Sequence, residues 1–484
     1  MAFVSFNQRL RDLAAAAPDR AAVTCDGVAI TRAELVRRGE DLAVQLHRAG
    51  VAAGDMVTIA VPNSIDWFVG YVAAWRLGAI PQPVSHRLPV REFEAILELA
   101  NPSAVVGAEP GSIAGRHCVP HGQVAPAASD AERAALPDVV SPAWKAPTSG
   151  GSTGRPKLIV SGDPAGLDDE APIPLALGTD GCIVMPGPLY HNGPAVWSWQ
   201  SLLHGNGVAL LSRFDAEQTL AAIERHLATV LYVVPTMMKR IWRLPEHVRE
   251  AYDLTSLRVV WHLAEPCPEW LKQSWIDWLG AERIYELYAG TESQTATIIT
   301  GPEWLAHRGS VGRPLPGTIM ITDAEGNELP PGEEGEVWMR NPRDTPTYRY
   351  VGATARTRDG GWESLGDMGR LDDDGYLYLG DRAADMILSG GANIYPAEIE
   401  AALQEHDGIR SCAVIGLPDD DKGNVVHAIL EADESAIDQD ELRAFLAERL
   451  VAYKIPRTFE FVDTPLRDDA GKVRRSALRS ERLR

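Results

Sequence analysis

A glycine-rich segment near residue 150 carries the residue types of an anion-binding loop. In order it reads Ser149, Gly150, Gly151, Ser152, Thr153, Gly154, Arg155, Pro156 and Lys157. Glycine tolerates the turns that aim several amide N–H groups into one concavity, and hydroxyl and ammonium groups add donors. The segment is not the common GxxxxGK[ST] loop, because Lys157 follows a proline and precedes Leu158. It predicts a polyphosphate cradle; a flexible linker is the alternative, and the rigid Pro156-Lys157 ending argues against it.

Further polar clusters follow this loop along the chain. They are Pro188 to His191, Tyr288 to Glu292, Gly366-Asp367, Asp381-Arg382, Tyr453 to Pro456 and Gly471-Lys472. Taken alone, Lys472 could be a surface lysine, Asp367 a turn residue and Glu292 a helix cap. Taken together, their order and spacing favour a functional interpretation.

Hydrophobic patterning predicts the elements that must position these clusters. Strands alternate with helices up to about Gly309, and a capping box at Thr31 to Glu34 opens one of the helices. Such alternation predicts an α/β fold with parallel sheets and helices on both faces. We expect irregular surface chain over residues 107–147, short strands and turns beyond Gly309, and a smaller α+β unit over the last hundred residues.

Composition narrows the classes of protein. The chain has 484 residues, which predicts two or three domains, and a net charge of −21, which disfavours nucleic acid and anionic membranes as partners. The five cysteines are scattered without a CxxC pair, so a reduced, cytoplasmic setting is expected, and no segment has the length or apolarity of a membrane span. An oligomer is possible.

With these motifs in order, the chain resembles the adenylate-forming superfamily, which includes acyl-CoA synthetases, luciferases and peptide-synthetase adenylation domains. The resemblance runs from about Thr31 to Lys472, and the segments SGGSTGRPK, GPLYHNGP and LSGGANIYPAEIE look most like the branch with bile-acid and fatty-acid CoA ligases. It implies a large N-terminal domain of parallel-rich sheets sandwiched by helices with a small barrel-like β subdomain. It also implies a hinge and a mobile α+β C-terminal domain, with boundaries at 1–380, 381–385 and 386–484.

The resemblance also implies a reaction: ATP and Mg²⁺ activate a carboxylic acid as acyl-AMP with release of pyrophosphate, and CoA then accepts the acyl group. The glycine-rich loop, with Ser152, Thr153 and Lys157, would face the pyrophosphate. Thr291 would contact the α-phosphate and Glu292 would hold Mg²⁺. Lys472, on the mobile domain, would bridge the carboxylate and α-phosphate oxygens.

Other matched positions would bind the nucleoside, CoA and the acid. Tyr288, with Ala289 and Gly290, would lie at the adenine, Asp367 at the ribose hydroxyls and Arg382 beside the ribose and phosphate. Gly390 and Gly391 would line the pantetheine tunnel, and His191 would border the acyl site. An apolar, aromatic-rich acyl pocket, which predicts a hydrophobic or aromatic acid, would be lined by Trp197, Val234, Trp261, Ala264 and Ala289.

Several residues depart from the superfamily pattern. Ala289 replaces a glycine, and Ala384 stands where a hinge Asp or Lys is common. Glu265 is an unexpected acid in a GGAP-like turn; we expect it to hydrogen-bond the backbone or the adenine amine, or alternatively to face an amino group on a substrate.

Other functions remain open from the sequence. The adenylate could pass to a carrier protein, or nitrite could be adenylated to diazotise an aromatic amine. A non-catalytic nucleotide-binding relative is a third possibility, against which the intact Lys472, Glu292, Asp367 and Arg382 argue.

Overall fold

The computed structural model describes residues 3–123, 125–150, 156–382, 385–389, 392–419, 422–468 and 471–483, with the side chains of residues 149, 150, 381, 382, 392 and 393 left out. Its first elements are β1 (Phe3–Ser5), α1 (Phe6–Ala16), β2 (Ala21–Cys25), β3 (Val28–Thr31), α2 (Arg32–Arg48), β4 (Met56–Ile59), α3 (Ile65–Arg76), β5 (Ile80–Pro83), α4 (Val90–Ala100), β6 (Ala104–Val106), β7 (His117–Val119), α5 (Asp130–Ala134) and β8 (Thr148–Gly150).

The middle of the chain continues the alternation of strands and helices. Its elements are β9 (Pro156–Ser161), β10 (Gly166–Asp168), β11 (Cys182–Met185), α6 (Asn192–Leu203), β12 (Gly207–Leu210), α7 (Ala216–Arg225), β13 (Val230–Val233), α8 (Pro235–Trp242), α9 (Glu246–Arg249), β14 (Val259–Leu263), α10 (Glu269–Leu279), β15 (Ile284–Ala289), β16 (Ala296–Thr300), α11 (Gly301–Ala306) and β17 (Arg313–Pro314).

The last part begins with short strands and ends in a mixed unit. Its elements are β18 (Thr318–Thr322), β19 (Gly335–Arg340), β20 (Tyr348–Val351), β21 (Arg356–Arg358), β22 (Trp362–Ser364), β23 (Asp367–Leu371), β24 (Leu377–Arg382), β25 (Ile387–Ser389), β26 (Ala392–Ile394), α12 (Pro396–Gln404), β27 (Ser411–Asp419), β28 (Gly423–Glu431), α13 (Gln439–Ala447), β29 (Thr458–Val462) and α14 (Arg475–Arg482).

Two parallel sheets form the framework of the large unit, as the alternation predicts. The nine-stranded sheet has the order β17-β16-β15-β14-β13-β11-β12-β2-β3, with parallel pairing from β15 to β2 and antiparallel strands at both ends. The four-stranded sheet β5-β4-β6-β7 is parallel throughout. The predicted capping box is also present at α2, where Thr31 and Glu34 hydrogen-bond each other's backbone N–H.

Helix α3 is buried between the two parallel sheets. It packs on β4 and β5 of one sheet and on β2 of the other, and every residue except Asp66 is buried. A helix that is apolar on all sides requires such a position. Its aromatic side chains pack around Trp199 of α6, with ring centroids 4.5 to 6.0 Å from that tryptophan. This aromatic cluster fixes the two sheets to each other.

The expectation of irregular surface chain over residues 107–147 is confirmed for most of the described residues in this range but is wrong for two short elements. Strand β7 pairs in parallel with β6 and extends the four-stranded sheet, and α5 follows it. Leu136 and Ala146 are buried. The alanine- and proline-rich composition hid these elements, because their strands and helices are only a few residues long.

The expected barrel-like subdomain is instead an open sheet among the described residues. Its strands lie in the order β21-β22-β19-β23-β24, and β18 pairs with β19 outside this order. Closure into a barrel requires the two end strands to pair with each other. Within the described residues, β21 pairs with β22 and β24 with β23, and no pairing joins the two end strands to each other.

The last hundred residues have a core of their own, formed mainly by α12, α13, β27 and β28. This separate core agrees with a small α+β unit, while the domain boundary at residue 380 stays a prediction. Within the described residues, no helix combines the length and apolarity needed to cross a membrane.

We predict that Trp199→Ala lowers the free energy of unfolding of the large unit by about 3–5 kcal/mol, because it leaves a cavity where α3 meets α6. Denaturant unfolding followed by near-ultraviolet circular dichroism measures the change. Val28→Ala is the control, since Val28 is 62% exposed, and should change stability by less than about 0.5 kcal/mol. Equal effects of the two substitutions would contradict the aromatic cluster as the link between the sheets.

Candidate active site

One group of the predicted site residues follows the carboxyl ends of adjacent parallel strands. His191 follows β11, Val234 follows β13, Glu265 follows β14, and Tyr288 and Glu292 lie at or beyond the end of β15. These strands are neighbours in the nine-stranded sheet. In open parallel sheets this edge forms the binding crevice, because loops of independent sequence converge there.

Glu292 is a buried carboxylate surrounded by donors from the small β8-β9-β20 sheet. Its Oε1 accepts hydrogen bonds from Lys157 Nζ at 3.3 Å and from the Tyr350 hydroxyl at 2.5 Å. Lys157 Nζ also lies 3.9 Å from the centroid of the Tyr350 ring. The structure thus brings together Lys157 and Glu292, as expected, and adds Tyr350, which the sequence analysis missed.

The surroundings of Glu292 fit a divalent cation. Both recorded donors reach Oε1, and in the described part of the chain no donor reaches Oε2. A carboxylate oxygen left open in this way suits a hard cation such as Mg²⁺. Gly290 is required beside it, since a Cβ there would lie 3.0 Å from Glu292 Oε2 and 2.4 Å from Leu365.

Tyr288 and Asp367 are joined directly. The Tyr288 hydroxyl donates to Asp367 Oδ2 at 2.6 Å, which connects the end of β15 with the start of β23. Asp367 pairs with Arg382 across β23 and β24 through the backbone. The residues predicted for the adenine and ribose therefore lie together, 79 positions apart in sequence.

His191 precedes the first turn of α6, and its Nε2 is enclosed without a hydrogen-bond partner in the described residues. Burial, with a further contribution from the nearby Lys472 ammonium, lowers the pKa of His191 to about 3. The ring is therefore neutral at physiological pH and can act as a hydrogen-bond partner but not as a cation.

Lys472 lies on a turn of the small unit that faces the large unit. Arg467 and Val473 pair across this turn, and the Lys472 N–H donates to Asp468 Oδ1 at 2.9 Å. We call residues 467–473 the lysine hairpin; residues 469 and 470 lie outside the description. The charge on the Lys472 ammonium contributes to the shift at His191, so the two side chains lie within electrostatic range of each other.

Glu265 contacts protein groups. Its Oε2 accepts hydrogen bonds from the Thr236 N–H at 3.1 Å and from the Thr236 hydroxyl at 2.8 Å. This agrees with the expected hydrogen bond to backbone. The preceding Ala264 has a φ of +75°, where the resemblance has glycine, so the turn holds a strained residue.

Lys145 is a site residue that the sequence analysis missed. It is 5% exposed, its Nζ donates to Asn192 Oδ1, and it lies 4.3 Å from the centroid of the Trp144 ring. Burial lowers its pKa to about 7, although Asp163 and Glu292 oppose the shift. The only signal in the sequence was one lysine in an apolar stretch just before the glycine-rich loop.

The predicted acyl-pocket residues divide into two groups. Trp197 and Trp261 are buried and meet edge to face with ring centroids 5.7 Å apart, and Val234 is buried near them. Ala264 and Ala289 are exposed. The tryptophans thus form an aromatic wall, and its contact with an acid stays a prediction.

Some predicted site residues lie outside the described residues. For Ser149, Gly150 and Arg382 only the backbone is described. The remainder are not described at all: Gly151, Ser152, Thr153, Gly154, Ala384, Gly390 and Gly391. Thr291 is described, partly buried beside Glu292.

Comparison with known proteins defines the class. The family described as AMP-binding enzyme matches residues 10–349, and its C-terminal domain matches residues 398–472. Feruloyl-CoA synthase of an Amycolatopsis species is 34% identical over 476 residues, covering 96% of each chain. Fatty acid–[acyl-carrier-protein] ligase ScoC of Streptomyces coeruleorubidus is 30% identical and covers 96% of this chain and 93% of that protein.

A solved structure agrees over the whole length. The o-succinylbenzoate CoA synthetase of Bacillus subtilis, in complex with its acyl-adenylate intermediate OSB-AMP, superimposes with a TM-score of 0.79 at 25% identity and covers 99% of this chain and 98% of that one. The chain belongs to the AMP-binding enzyme family. It is an AMP-forming acyl-CoA synthetase that uses ATP and CoA, activating a carboxylic acid as acyl-AMP before transfer to the CoA thiol.

We predict that His191 does not titrate between pH 5 and pH 8, because its pKa is lowered to about 3. In the unfolded chain the same ring titrates near about 6.5. Below about pH 6.5 the unfolded chain binds a proton at His191 and the folded protein does not. The free energy of unfolding therefore decreases progressively toward pH 3. Imidazole ¹⁵N shifts, assigned with His191→Gln, measure the titration.

Lys472→Ala should raise the pKa of His191, because it removes the Lys472 charge, which is one of the two causes of the lowered pKa. A titration midpoint of His191 between pH 6 and pH 7 in the unsubstituted protein would contradict the enclosed position of its ring.

Proposed function

We propose that the acid is hydrophobic or aromatic and that Lys472, Glu292, Lys157 and Asp367 are the residues that bind and activate it with ATP. The observation that carries this proposal is the pairing of Lys157 with Glu292 and of Tyr288 with Asp367 at the carboxyl edge of the large sheet. The electrostatic effect of Lys472 on His191 supports the approach of the small unit to this edge. The aromatic wall supports the acid class, as does the feruloyl group named for one relative.

In adenylation, a carboxylate oxygen of the acid attacks the α-phosphorus of ATP, the bond to the bridging oxygen breaks, and pyrophosphate leaves. Negative charge collects on the phosphate oxygens, so fixed cations and donors lower the barrier. Lys472 would neutralise the oxygens of the α-phosphate and the acid, and Lys157 those of the pyrophosphate. Glu292 would hold Mg²⁺, which supplies further charge neutralisation to the phosphates.

In the second step, the sulfur of CoA attacks the acyl carbonyl and loses its proton, and the bond between the acyl carbon and AMP breaks. AMP leaves with its negative charge spread over the phosphate oxygens. We propose that the small unit turns about residues 381–385 between the two steps and withdraws Lys472. The separate core of the small unit supports this, because it can move as a body. A cytoplasmic location remains a prediction from the dispersed cysteines.

A carrier protein is a second candidate for the acceptor. The observation in its favour is the similarity to ScoC, a relative named for transfer to an acyl carrier protein. The adenylation residues would be the same in both cases, so only the acceptor distinguishes them.

We predict that Lys472→Ala lowers the rate of acid-dependent ATP–pyrophosphate exchange by at least about a hundredfold, because it removes a charge that acts in the transition state. Formation of the CoA thioester from supplied acyl-AMP should stay within about threefold. Lys454→Ala is the matched control: Lys454 forms an ion pair with Glu398 within the small unit, so adenylation should be unaffected. Equal losses in both steps would contradict the assignment of Lys472.

A panel of aromatic and aliphatic acids, together with nitrite, tests the acid class in the same exchange assay. We expect ferulate and related aromatic acids to give the fastest exchange. Exchange with nitrite alone would overturn the ligase, and exchange with no compound would favour a non-catalytic relative. Adenylation without consumption of CoA would favour the carrier protein.

A further inference from the structure

The lysine hairpin is anchored within the small unit from one side. Arg467 Nη1 donates to the Gly471 carbonyl at 2.9 Å, and Arg467 Nη2 donates to Glu400 Oε2 at 3.0 Å. Glu400 is buried and also accepts from Arg475. These bonds fix the shape of the hairpin, but they do not hold it against the large unit.

The other side of the hairpin meets Glu265 of the large unit. A Cβ at Gly471 would overlap the Glu265 carboxyl, so this carboxyl lies directly against the backbone of the hairpin at Gly471. Gly471 immediately precedes Lys472 and has a φ of +78°. Contact at this position therefore acts directly on the placement of Lys472.

The large unit holds the Glu265 carboxyl in a fixed orientation for this contact. Thr236 donates two hydrogen bonds to Oε2, which orients the carboxyl, and Oε1 is enclosed with no donor among the described residues. Burial of a carboxyl oxygen without a hydrogen-bond donor costs free energy. Here Oε1 forms the surface on which the hairpin rests.

Helix α8, which carries Thr236, supplies a second contact with the small unit. Lys239 Nζ donates to the Ile409 carbonyl at 3.4 Å, Arg243 Nη1 donates to the same carbonyl at 2.9 Å, and Arg243 Nη2 donates to the His406 carbonyl at 3.3 Å. These carbonyls follow the end of α12. One helix of the large unit thus contacts the small unit at two separate places.

We propose that Glu265 is a positioning residue for adenylation: its carboxyl, oriented by Thr236, receives the backbone at Gly471 and so places Lys472 in the active site. This inference rests on the proposed role of Lys472. It assigns Glu265 to the closed arrangement of the two units and not to recognition of an amino group on the substrate.

We predict that Glu265→Ala lowers the rate of acid-dependent exchange by roughly ten- to a hundredfold, because the hairpin loses its support and Lys472 is misplaced. Glu265→Gln keeps the shape and the acceptor for Thr236, so it should stay within about threefold. Thioester formation from supplied feruloyl-AMP should change little in either variant, because that step uses another arrangement of the units. The exchange assay uses ferulate or the acid that gives the fastest exchange.

A double-mutant cycle tests the contact itself. Gly471→Ala should lower the exchange rate about a hundredfold in the unsubstituted protein but less than about threefold in the Glu265→Ala background, a rescue that follows from removal of the clash. Gly423→Ala is the matched control: it has a φ of +76° but no heavy atom within 4 Å of an added Cβ, so it carries the backbone strain alone. An absence of rescue in the double variant would overturn the contact.

The pH dependence supplies a readout that a purely structural role would not change. Burial raises the pKa of Glu265 to about 7, while Arg467 and Thr236 oppose the shift and Asp468 adds to it; Tyr232 and Cys267 also face this carboxyl. Withdrawal of the hairpin exposes the Glu265 carboxyl to water and so lowers its pKa. Protonation of Glu265 therefore favours the arrangement in which the hairpin rests on the large unit. Exchange should therefore weaken as the pH rises through 7, and less so in Glu265→Gln.

Hydrogen–deuterium exchange of residues 467–475 gives a readout that needs no substrate. The hydrogen–deuterium exchange of these residues should be faster in Glu265→Ala than in the unsubstituted protein and unchanged in Glu265→Gln. Unchanged protection and unchanged adenylation in Glu265→Ala would overturn this inference. If Lys472→Ala also left adenylation intact, the proposed function itself would fail, which separates the two outcomes.

Discussion

The transfer of AMP to a carboxylate demands concentrated positive charge at one point of a protein whose net charge is −21. Under the proposed function, lysines from separate elements meet this demand at a single edge of the sheet. Lys157 comes from β9, Lys145 from the segment before β8, and Lys472 from the small unit. Burial of Lys145 and the neutral state of His191 show that the surroundings are poorly hydrated, and poor hydration strengthens each interaction with a phosphate.

The rest of the fold can be understood as support for that edge. Helix α3 and Trp199 lock the two parallel sheets together, so the loops at the carboxyl ends of the strands keep a fixed spacing. Glu292 and Tyr288 are tied to other sheets through Tyr350 and Asp367. The lysine hairpin lies on a unit with a separate core, as the proposed withdrawal of Lys472 after the first step requires.

Sequence reasoning found most of the elements and most of the polar residues of the site. The capping box identified α2, and the alternation of apolar and polar segments predicted the parallel strands and the helices between them. It missed β7 and α5, whose three and five residues are too few to show a period. It also missed Tyr350 and Lys145, because each looks ordinary among its neighbours in sequence and becomes part of the site only through residues far along the chain.

The sequence alone determined the alternation of strands and helices, the glycine-rich loop and the order of the polar clusters, since these are local properties of short segments. Tertiary structure decided which residues meet: Lys145 with Asn192, Tyr288 with Asp367, and Glu265 with Gly471. Such contacts depend on how sheets and units pack, and that packing is fixed by the burial of side chains contributed from the whole chain. The role proposed for Glu265 is therefore beyond any local pattern, because the hairpin that it contacts lies some two hundred residues later in the chain.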